Sequence, residues 1–515
     1  MFVGDQTAAV KFLSDPSTYG QDAPLEIIET HISAIFLAAD RAYKMKRAVK
    51  LPYADFSTPA LRLAACEQEI ALNSLTAPDI YLRVRRITRE RSGELVFDGT
   101  GKTIDAVVEM VRFNQSCLFD RLALAGKLTA SLMTDTARAV ALFHGDARIV
   151  HRGSGSANIR AVLDINRAGF ATSHVFDPAN VNELDSASRS ALDRCAGLLD
   201  NRERAGKVRR CHGDLHLRNI CLFDGKPALF DCIEFNEQIA TVDVLYDLAF
   251  LLMDLWHRGF HHHANLVMNR YLDETADEAG FVLLPFFMAI RAAVRAHVTA
   301  TQIEESGRRD AELVASAYSY FDLARTLLRP EDARLIAVGG FSGSGKTTVA
   351  ETLAPAVGHP PGARVLSTDR IRKALFGVSA ETRLAADAYE ARVSKEVYEI
   401  LCRRGRDLLE AGGSVILEAV FDRPDRRAAV ADLARGMPAA AYTPIWLDVN
   451  PATLAERVRN RRSGPSDATA KVLQTQLERG ADEITWTRIP AGRSVSDVAA
   501  SILRSLVPRA PDGQR

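Results

Sequence analysis

The octapeptide Gly340-Phe341-Ser342-Gly343-Ser344-Gly345-Lys346-Thr347 has the residue types and spacing needed to hold a chain of phosphates. Glycines let the backbone curl so that successive N–H groups converge on one anion, and a helix opening after the curl adds its positive pole. In that arrangement Lys346 reaches β- and γ-phosphates, and Thr347, with Thr348 beside it, offers a hydroxyl to Mg²⁺. The apolar run Leu335-Ile336-Ala337-Val338 before the octapeptide predicts a strand, and Val349-Ala350-Glu351-Thr352-Leu353 after it predicts a helix. Strand, loop and helix in this order make the pattern a phosphate-binding P-loop.

A second constellation lies upstream. Cys211-His212-Gly213-Asp214-Leu215-His216-Leu217-Arg218-Asn219 is followed by a predicted hairpin, residues 220–223 and 228–230 about Asp224-Gly225-Lys226, which delivers Asp231. Phosphoryl transfer needs a carboxylate beside the attacking hydroxyl, supplied by Asp214, and an amide and a second carboxylate on Mg²⁺, supplied by Asn219 and Asp231. Nearer the N-terminus, residues 31–39 and 42–46 read as strands about Asp40-Arg41, so Lys44 and Lys46 share a face. Thr58-Pro59 marks the start of a helix that carries Glu67 and Glu69. A strand lysine paired with a helical glutamate grips ATP phosphates in protein-kinase-like folds. The spacing leaves open which lysine and which glutamate form the pair. Residues 107–111 predict a short buried strand beneath an adenine.

Three stretches carry a resemblance: His-Gly-Asp-x-x-x-x-Asn at 212–219, Asp231-Cys232-Ile233-Glu234, and Asp243-Val244-Leu245-Tyr246-Asp247-Leu248-Ala249. Together they resemble the aminoglycoside phosphotransferase-like family, relatives of choline and fructosamine kinases, across residues 25–325. The resemblance implies a two-lobed protein-kinase-like fold that moves the γ-phosphate of ATP to a small-molecule hydroxyl. It also implies Asp214 as base, Asn219 and Asp231 as Mg²⁺ ligands and Asp247 as a structural residue. Lys44 or Lys46, with Glu67 or Glu69, would hold the phosphates. Two departures stand out: no glycine-rich loop covers the phosphates, and Asp243 is followed by Val where the family has Pro.

Leu327-Leu328-Arg329-Pro330 breaks a helical pattern, placing a boundary near Pro330 and domains at 1–330 and 331–515. Beyond it, strand patterns at 335–339, 364–367, 414–417, 441–448 and 483–488 alternate with helical ones. That alternation predicts a parallel sheet covered by helices on both faces. The expected whole is therefore an α+β, two-lobed front half joined to an α/β P-loop half. Ligands bind at the carboxyl ends of such parallel strands. Asp369 and Arg372 follow the second strand, near the γ-phosphate, with Asp369 placed to orient or deprotonate an acceptor hydroxyl. Glu418 ends the third strand, for an indirect contact with Mg²⁺ or for acceptor binding. Arg457, Arg461 and Arg462 follow the fourth as a basic lid. Arg461 lies seven after Leu454 and three after Val458, on their apolar stripe, so the helix ends early or Arg461 turns toward nucleotide. Asp369-x-x-Arg372, the arginine-rich lid and Ser466-Asp467-Ala468 are similar to small P-loop kinases: gluconate and shikimate kinases, polynucleotide kinase ends and zeta-toxin-like enzymes, among AAA-type ATP-binding proteins. Neither N-K-x-D for guanine nor L-S-G-G-Q of transporter ATPases occurs, which favours a kinase.

Composition narrows the classes further. At 515 residues the chain exceeds one core. Its 65 basic and 65 acidic residues cancel, so no whole-chain footprint for nucleic acid exists. The expected partners are small-molecule acceptors rather than nucleic acid or membrane. The start lacks the basic and apolar regions of a secretion signal, and residues 242–256 are interrupted by Asp243, Asp247 and Asp254, which bars a bilayer span. Seven scattered cysteines read as reduced thiols of a cytoplasmic protein. His212 reads as a brace for its loop, and it and His216 have no third ligand at a suitable spacing. His261-His262-His263 reads as a solvated turn between helical segments, so no metal is expected at either place. The expectation is two ATP- and Mg²⁺-dependent phosphotransferase domains. Two alternatives stand beside it: an ATP-hydrolysing regulatory or stress protein whose front half is a binding module, and a nucleic-acid end kinase.

Overall fold

In the computed structural model, residues 4–51, 54–306, 310–460, 464 and 466–506 are described. The chain forms two compact units, one of Met1–Ala168 with Leu192–Asp254, the other of Gly169–Ala191 with Leu255–Arg515.

The first unit contains a six-stranded antiparallel sheet. Its strands are β1 (Glu26–Glu29), β2 (Ser33–Ala38), β3 (Arg41–Lys46), β4 (Tyr81–Arg89), β5 (Leu95–Phe97) and β6 (Lys102–Val111), in the order β1-β2-β3-β6-β4-β5. Alternation along β3 sends Tyr43 and Met45 into a core with Phe36, Ile87 and Val107. Lys44 and Lys46 therefore face the other way, toward helix α1 (Pro59–Asn73). This helix begins as the sequence predicts: Thr58 Oγ1 accepts the Leu61 N–H at 3.3 Å and Pro59 takes the first position. Its buried stripe is Arg62, Cys66, Glu69 and Asn73, at helical spacing. Arg62 grips Asp105 of β6 with both ends of its fork, at 2.7 and 2.9 Å, and so fixes the helix on the sheet. The predicted hairpin forms as β7 (Ile220–Phe223) and β8 (Lys226–Leu229).

The second unit contains helices α2 (His261–Thr275), α3 (Leu284–Ser306) and α4 (Ala311–Leu327). It also holds a five-stranded sheet, β9 (Arg334–Gly339), β10 (Arg364–Ser367), β11 (Val415–Glu418), β12 (Ala441–Asp448) and β13 (Thr487–Pro490). The order is β10-β11-β9-β12-β13 and every pairing is parallel. The last strand starts later than the pattern at 483–488 suggests. The Asp482 and Glu483 carbonyls instead accept from the buried Arg427 guanidinium, and Trp486 packs on Phe421, before the chain becomes extended.

Helices of this sheet include α5 (Lys346–Leu353), α6 (Thr368–Leu375), α7 (Ala391–Glu410), α8 (Pro424–Arg435), α9 (Pro451–Asn460), α10 (Ala470–Arg479) and α11 (Val495–Leu506). Val349, Leu353 and Ile502 from α5 and α11 pack with Ile336, Val338, Ile416 and Ile445 on one face. On the other, Gly405 of α7 lies so close to Leu417 that a Cβ would stand 3.2 Å from its methyl group.

Arg364 of β10 is 1% exposed and needs counter-ions. Its Nη2 lies 2.6 Å from Asp273 of α2, its Nε donates to Glu278 at 3.0 Å and its Nη1 to Asn269 Oδ1 at 3.0 Å. Asp273 also meets Arg270 (3.2 Å) and Arg370 (3.3 Å), and Glu278 accepts from Arg404 at 2.8 Å. Burial alone would raise the Asp273 carboxyl, but Arg364, Arg370 and Arg270 outweigh it and hold it below the ordinary range. Glu278 is likewise lowered, burial being outweighed by Arg404 and Arg364. Among the described residues one helical stretch, Glu278–Glu305, is long and apolar enough to cross a bilayer, and 72% of its apolar window is buried inside the protein.

Replacing Arg364 by Leu leaves two acids buried short of a partner and is expected to cost about 3–5 kcal/mol. Urea unfolding followed by tryptophan fluorescence reads this directly, because Trp256, Trp446 and Trp486 all belong to the second unit. The same signal should show acid sensitivity. Carboxylates held low in the folded state stabilise it above their ordinary values near 4 and lose that contribution as pH falls through the depressed folded values. The Arg364→Leu protein should lose less on acidification than the parent.

Candidate active site

Glu69 is fully buried and serves both lysines of β3: Oε1 lies 2.7 Å from Lys44 Nζ and Oε2 lies 2.5 Å from Lys46 Nζ. Lys44 also ion-pairs with Asp231, and Lys46 with Glu234. Burial would raise the Glu69 carboxyl, and the two ammonium groups overcome it and lower it. Glu234 is pushed up, because burial outweighs Lys46. The alternative of Glu67 is corrected here: it lies exposed on the outer side of α1, two residues out of phase with the buried stripe. Of the two lysines, Lys44 is the one that reaches the Asp231 carboxylate, whereas Lys46 is sealed beneath it at 1% exposure.

Asp231 has φ 64°, a left-handed conformation that costs a non-glycine residue roughly 1–3 kcal/mol. Two contacts hold it there: its N–H donates to Tyr81 Oη at 3.1 Å, and the Cys232 N–H donates to Asn73 Oδ1 at 2.9 Å. The loop bearing Asp214 is pinned from below. Asp247 accepts the N–H groups of His212 (3.2 Å) and Gly213 (2.8 Å) and meets His144 Nε2 at 3.1 Å. Asp254 accepts the Leu217 N–H at 3.1 Å, and His212 Nε2 bonds to the Phe230 carbonyl at 2.9 Å. Asn219 Nδ2 donates to Asp214 Oδ2 and to its carbonyl, both at 3.0 Å. Its Oδ1 is thus the amide atom left for a cation, and with the Asp231 carboxylate it would make a hard oxygen pair that suits Mg²⁺. Between β1 and β2 the chain turns through Thr30-His31-Ile32, closed by the Thr30 N–H on Ser33 O at 2.8 Å, with no glycine-rich loop.

In the second unit the P-loop curls as expected. Gly343 has φ 87°, and a Cβ there would stand 2.8 Å from the Leu454 carbonyl of α9, so only glycine fits. Lys346 Nζ donates to the Phe341 carbonyl at 3.2 Å, and the Ser342 N–H donates to Gln476 Oε1 of α10 at 2.9 Å. Strand register puts Glu418 beside both Val338 and Ser367, so the ends of three adjacent strands meet. Asp369 stands in the first turn of α6. Glu418 is 3% exposed with its Oε2 lacking any hydrogen-bond partner; burial raises its carboxyl, Lys346 opposing and Asp369 reinforcing. An orphaned carboxylate oxygen sharing a cavity wall with Lys346 and Asp369 fits a Mg²⁺ ion coordinated directly or through water.

These groups open onto a cavity of about 460 Å³ whose walls include Lys346, Asp369, Arg372, Tyr389, Tyr398 and Gln476. Arg372 lies over the Tyr389 ring at 4.8 Å and Arg426 over Tyr398 at 4.1 Å. Asp467 closes one side, 2.5 Å from Lys373 Nζ and 2.6 Å from Tyr389 Oη. Arg457 donates to the Ala491 carbonyl at 3.1 Å beside Gly345. Arg461 and Arg462 lie outside the described residues. Sequence reasoning gave no role to Tyr81, Asn73, Glu234, Arg426, Tyr398 or Gln476.

A family model described as an AAA domain matches residues 335–481, and one described as a phosphotransferase enzyme family matches residues 163–281. The uncharacterised protein Rv2004c of Mycobacterium tuberculosis is 30% identical over 496 residues, spanning 94% of this chain and 96% of its own. The uncharacterised protein Mb2027c of Mycobacterium bovis matches to the same extent. Among solved structures, the chain is similar to a choline/ethanolamine kinase family protein from Mesorhizobium loti (18% identity, TM-score 0.41, 63% of this chain and 94% of that one). A gluconokinase from Sinorhizobium meliloti 1021 is also similar (22% identity, TM-score 0.25, 34% of this chain and 93% of that one).

Glu69→Gln removes the charge that two buried ammonium groups share and should destabilise the first unit by about 3 kcal/mol, while Glu67→Gln should leave it unchanged. Hydrogen exchange along Arg41–Lys46 distinguishes the two. In the P-loop, Gln476→Ala releases the Ser342 N–H from an internal acceptor. Calorimetric titration with Mg·ATP should then show about two- to tenfold tighter binding, the worth of one hydrogen bond no longer to be displaced.

Proposed function

Since the chain belongs to the family of Mycobacterium tuberculosis Rv2004c and itself carries a phosphotransferase-family region before an AAA domain, we propose that it is a bifunctional, cytoplasmic, ATP-dependent phosphotransferase. Each site moves the γ-phosphoryl group to a hydroxyl of a small molecule. One observation carries the reading: the same set of groups recurs twice. At the first site these are Lys44, the Asp214 carboxylate, and the oxygen donors Asn219 and Asp231. At the second they are Lys346, Asp369, and the donors Thr347 and Glu418.

At the first site Lys44 remains on Glu69 and exchanges Asp231 for phosphate oxygens, which releases the Asp231 carboxylate to join Asn219 Oδ1. Asp214 takes the proton of the acceptor hydroxyl. At the second, P-loop amides and Lys346 orient the phosphates while Asp369 takes the proton. Mg²⁺, when bound, neutralises charge on the β- and γ-phosphates.

A second reading makes the front half a binding module and the P-loop half an ATP-driven switch. It is favoured by the short Thr30-His31-Ile32 turn where phosphates would need cover. Full-length Asp214→Asn and Lys346→Ala variants separate the two readings, through ADP release in the presence of sugars, amines and nucleosides. Each substitution should remove its own share of acceptor-dependent turnover by about 10²–10⁴-fold, and the pair should remove all of it. Turnover unchanged by Asp214→Asn with every acceptor would leave the binding-module reading in place.

A further inference from the structure

The cavity beside Lys346 continues outward. It shares Tyr389, Ser394, Tyr398 and Arg426 with an open groove of about 1100 Å³. Six cations line that groove, Lys395, Arg403, Arg406, Arg423, Arg426 and Arg479, against two acids, Glu399 and Asp425. In a chain whose formal charge is zero, such a local excess creates a field of one sign in a concave surface.

Several of these cations are already paired. Arg423 bonds to Asp425 at 3.0 Å, Arg426 lies 3.0 Å from Asp422, Arg479 is 3.9 Å from Asp422 and Lys395 is 3.8 Å from Glu399. Arg403 and Arg406 are exposed on α7 and form no ion pair among the described residues. Lys395, Glu399, Arg403 and Arg406 share one face of α7 at helical spacing; Glu399 already occupies Lys395, which leaves Arg403 and Arg406, one turn apart, as neighbouring guanidinium groups. Two adjacent guanidinium groups, each a fork of N–H donors, suit a phosphate with its several oxygens better than a single carboxylate. At the inner end Arg372 is 6% exposed, and its Nε is buried without a hydrogen-bond partner. The guanidinium planes of Arg372 and Arg426, resting on Tyr389 and Tyr398, are held with their N–H edges in fixed directions.

We propose that the hydroxyl phosphorylated at the P-loop site belongs to an acceptor that already carries phosphate, with its anionic groups lying along α7 on Arg403 and Arg406. The inference rests on the phosphotransfer reading of that site and names its substrate class. In the step, the acceptor oxygen forms the new bond to the γ-phosphorus and its proton passes to Asp369. The bond from the γ-phosphorus to the β,γ-bridging oxygen breaks, and ADP leaves with the electron pair.

The test uses the full chain with Asp214→Asn, which silences the other site. Acceptors are a nucleoside monophosphate, a sugar phosphate and a short oligonucleotide with a free terminal hydroxyl, beside a neutral polyol and a sugar acid. ADP release should rise with one or more phosphate-bearing acceptors and weaken with added salt. Adding Arg403→Ser and Arg406→Ser should raise KM for that acceptor at least tenfold with kcat and acceptor-free ATP hydrolysis unchanged, and lysine at both positions should restore most of the loss. A response to the oligonucleotide alone, or to the small phosphates alone, identifies the source of the phosphate. Preference for the polyol or sugar acid, or a KM indifferent to the serine pair, overturns the proposal. If no acceptor is phosphorylated, equilibrium binding of the same probes decides separately. Loss of binding in the serine variant upholds the groove while the phosphotransfer reading falls, and equal binding rejects the groove as well.

Discussion

Glu69 holds two ammonium groups at once, 2.7 Å and 2.5 Å from its two oxygens, in a place no water reaches. Two positive charges in an apolar lobe are tolerable only with acids at contact distance, and three supply them: Glu69 from α1, and Asp231 and Glu234 from the segment after the β7–β8 hairpin. The requirement ties β3, α1 and that segment into one arrangement. The bonds that keep the lobe folded are therefore the bonds that set Lys44 against Asp231. The unusual backbone of Asp231 persists because Tyr81 and Asn73 brace it from the same side.

In the second unit the same requirement operates on a guanidinium. Arg364 is buried in the sheet, and Asp273 and Glu278 come to it. Asp273 also pairs with Arg370, the residue after Asp369, and Arg270 pairs with Glu351 of α5. Both helices that orient chemistry at the P-loop, α5 and α6, are thus anchored by α2. Their positions depend on ion pairs in which neither Lys346 nor Asp369 takes part.

What the sequence disclosed and what it withheld follow from range. The P-loop, the loop of Asp214 and Asn219, the hairpin to Asp231 and most strands are written in contiguous residues, and each formed where its spacing indicated. The choice between Glu67 and Glu69 was withheld because the buried stripe of α1 is itself polar. Arg62, Glu69 and Asn73 look like a solvated face until Asp105, Lys44 and Cys232 are brought opposite them. Strand β4 was hidden for a similar reason, since Arg83 and Arg85 break its alternation while their acids come from elsewhere, Glu109 from β6 and Asp98 from the turn after β5. Gln476 reaches Ser342 across 134 residues, and nothing local to either residue signals the other.

The placement of Arg364 bears on inheritance. A P-loop domain cut free at residue 331 would carry a sealed guanidinium whose neutralising acids remain on the preceding piece. Recombination that moved the domain alone into another gene would deliver a damaged core, because Asp273 and Glu278 would stay behind. The mycobacterial relatives align with this chain across 96% of their own length, so the comparison spans both the acids and the guanidinium they neutralise here.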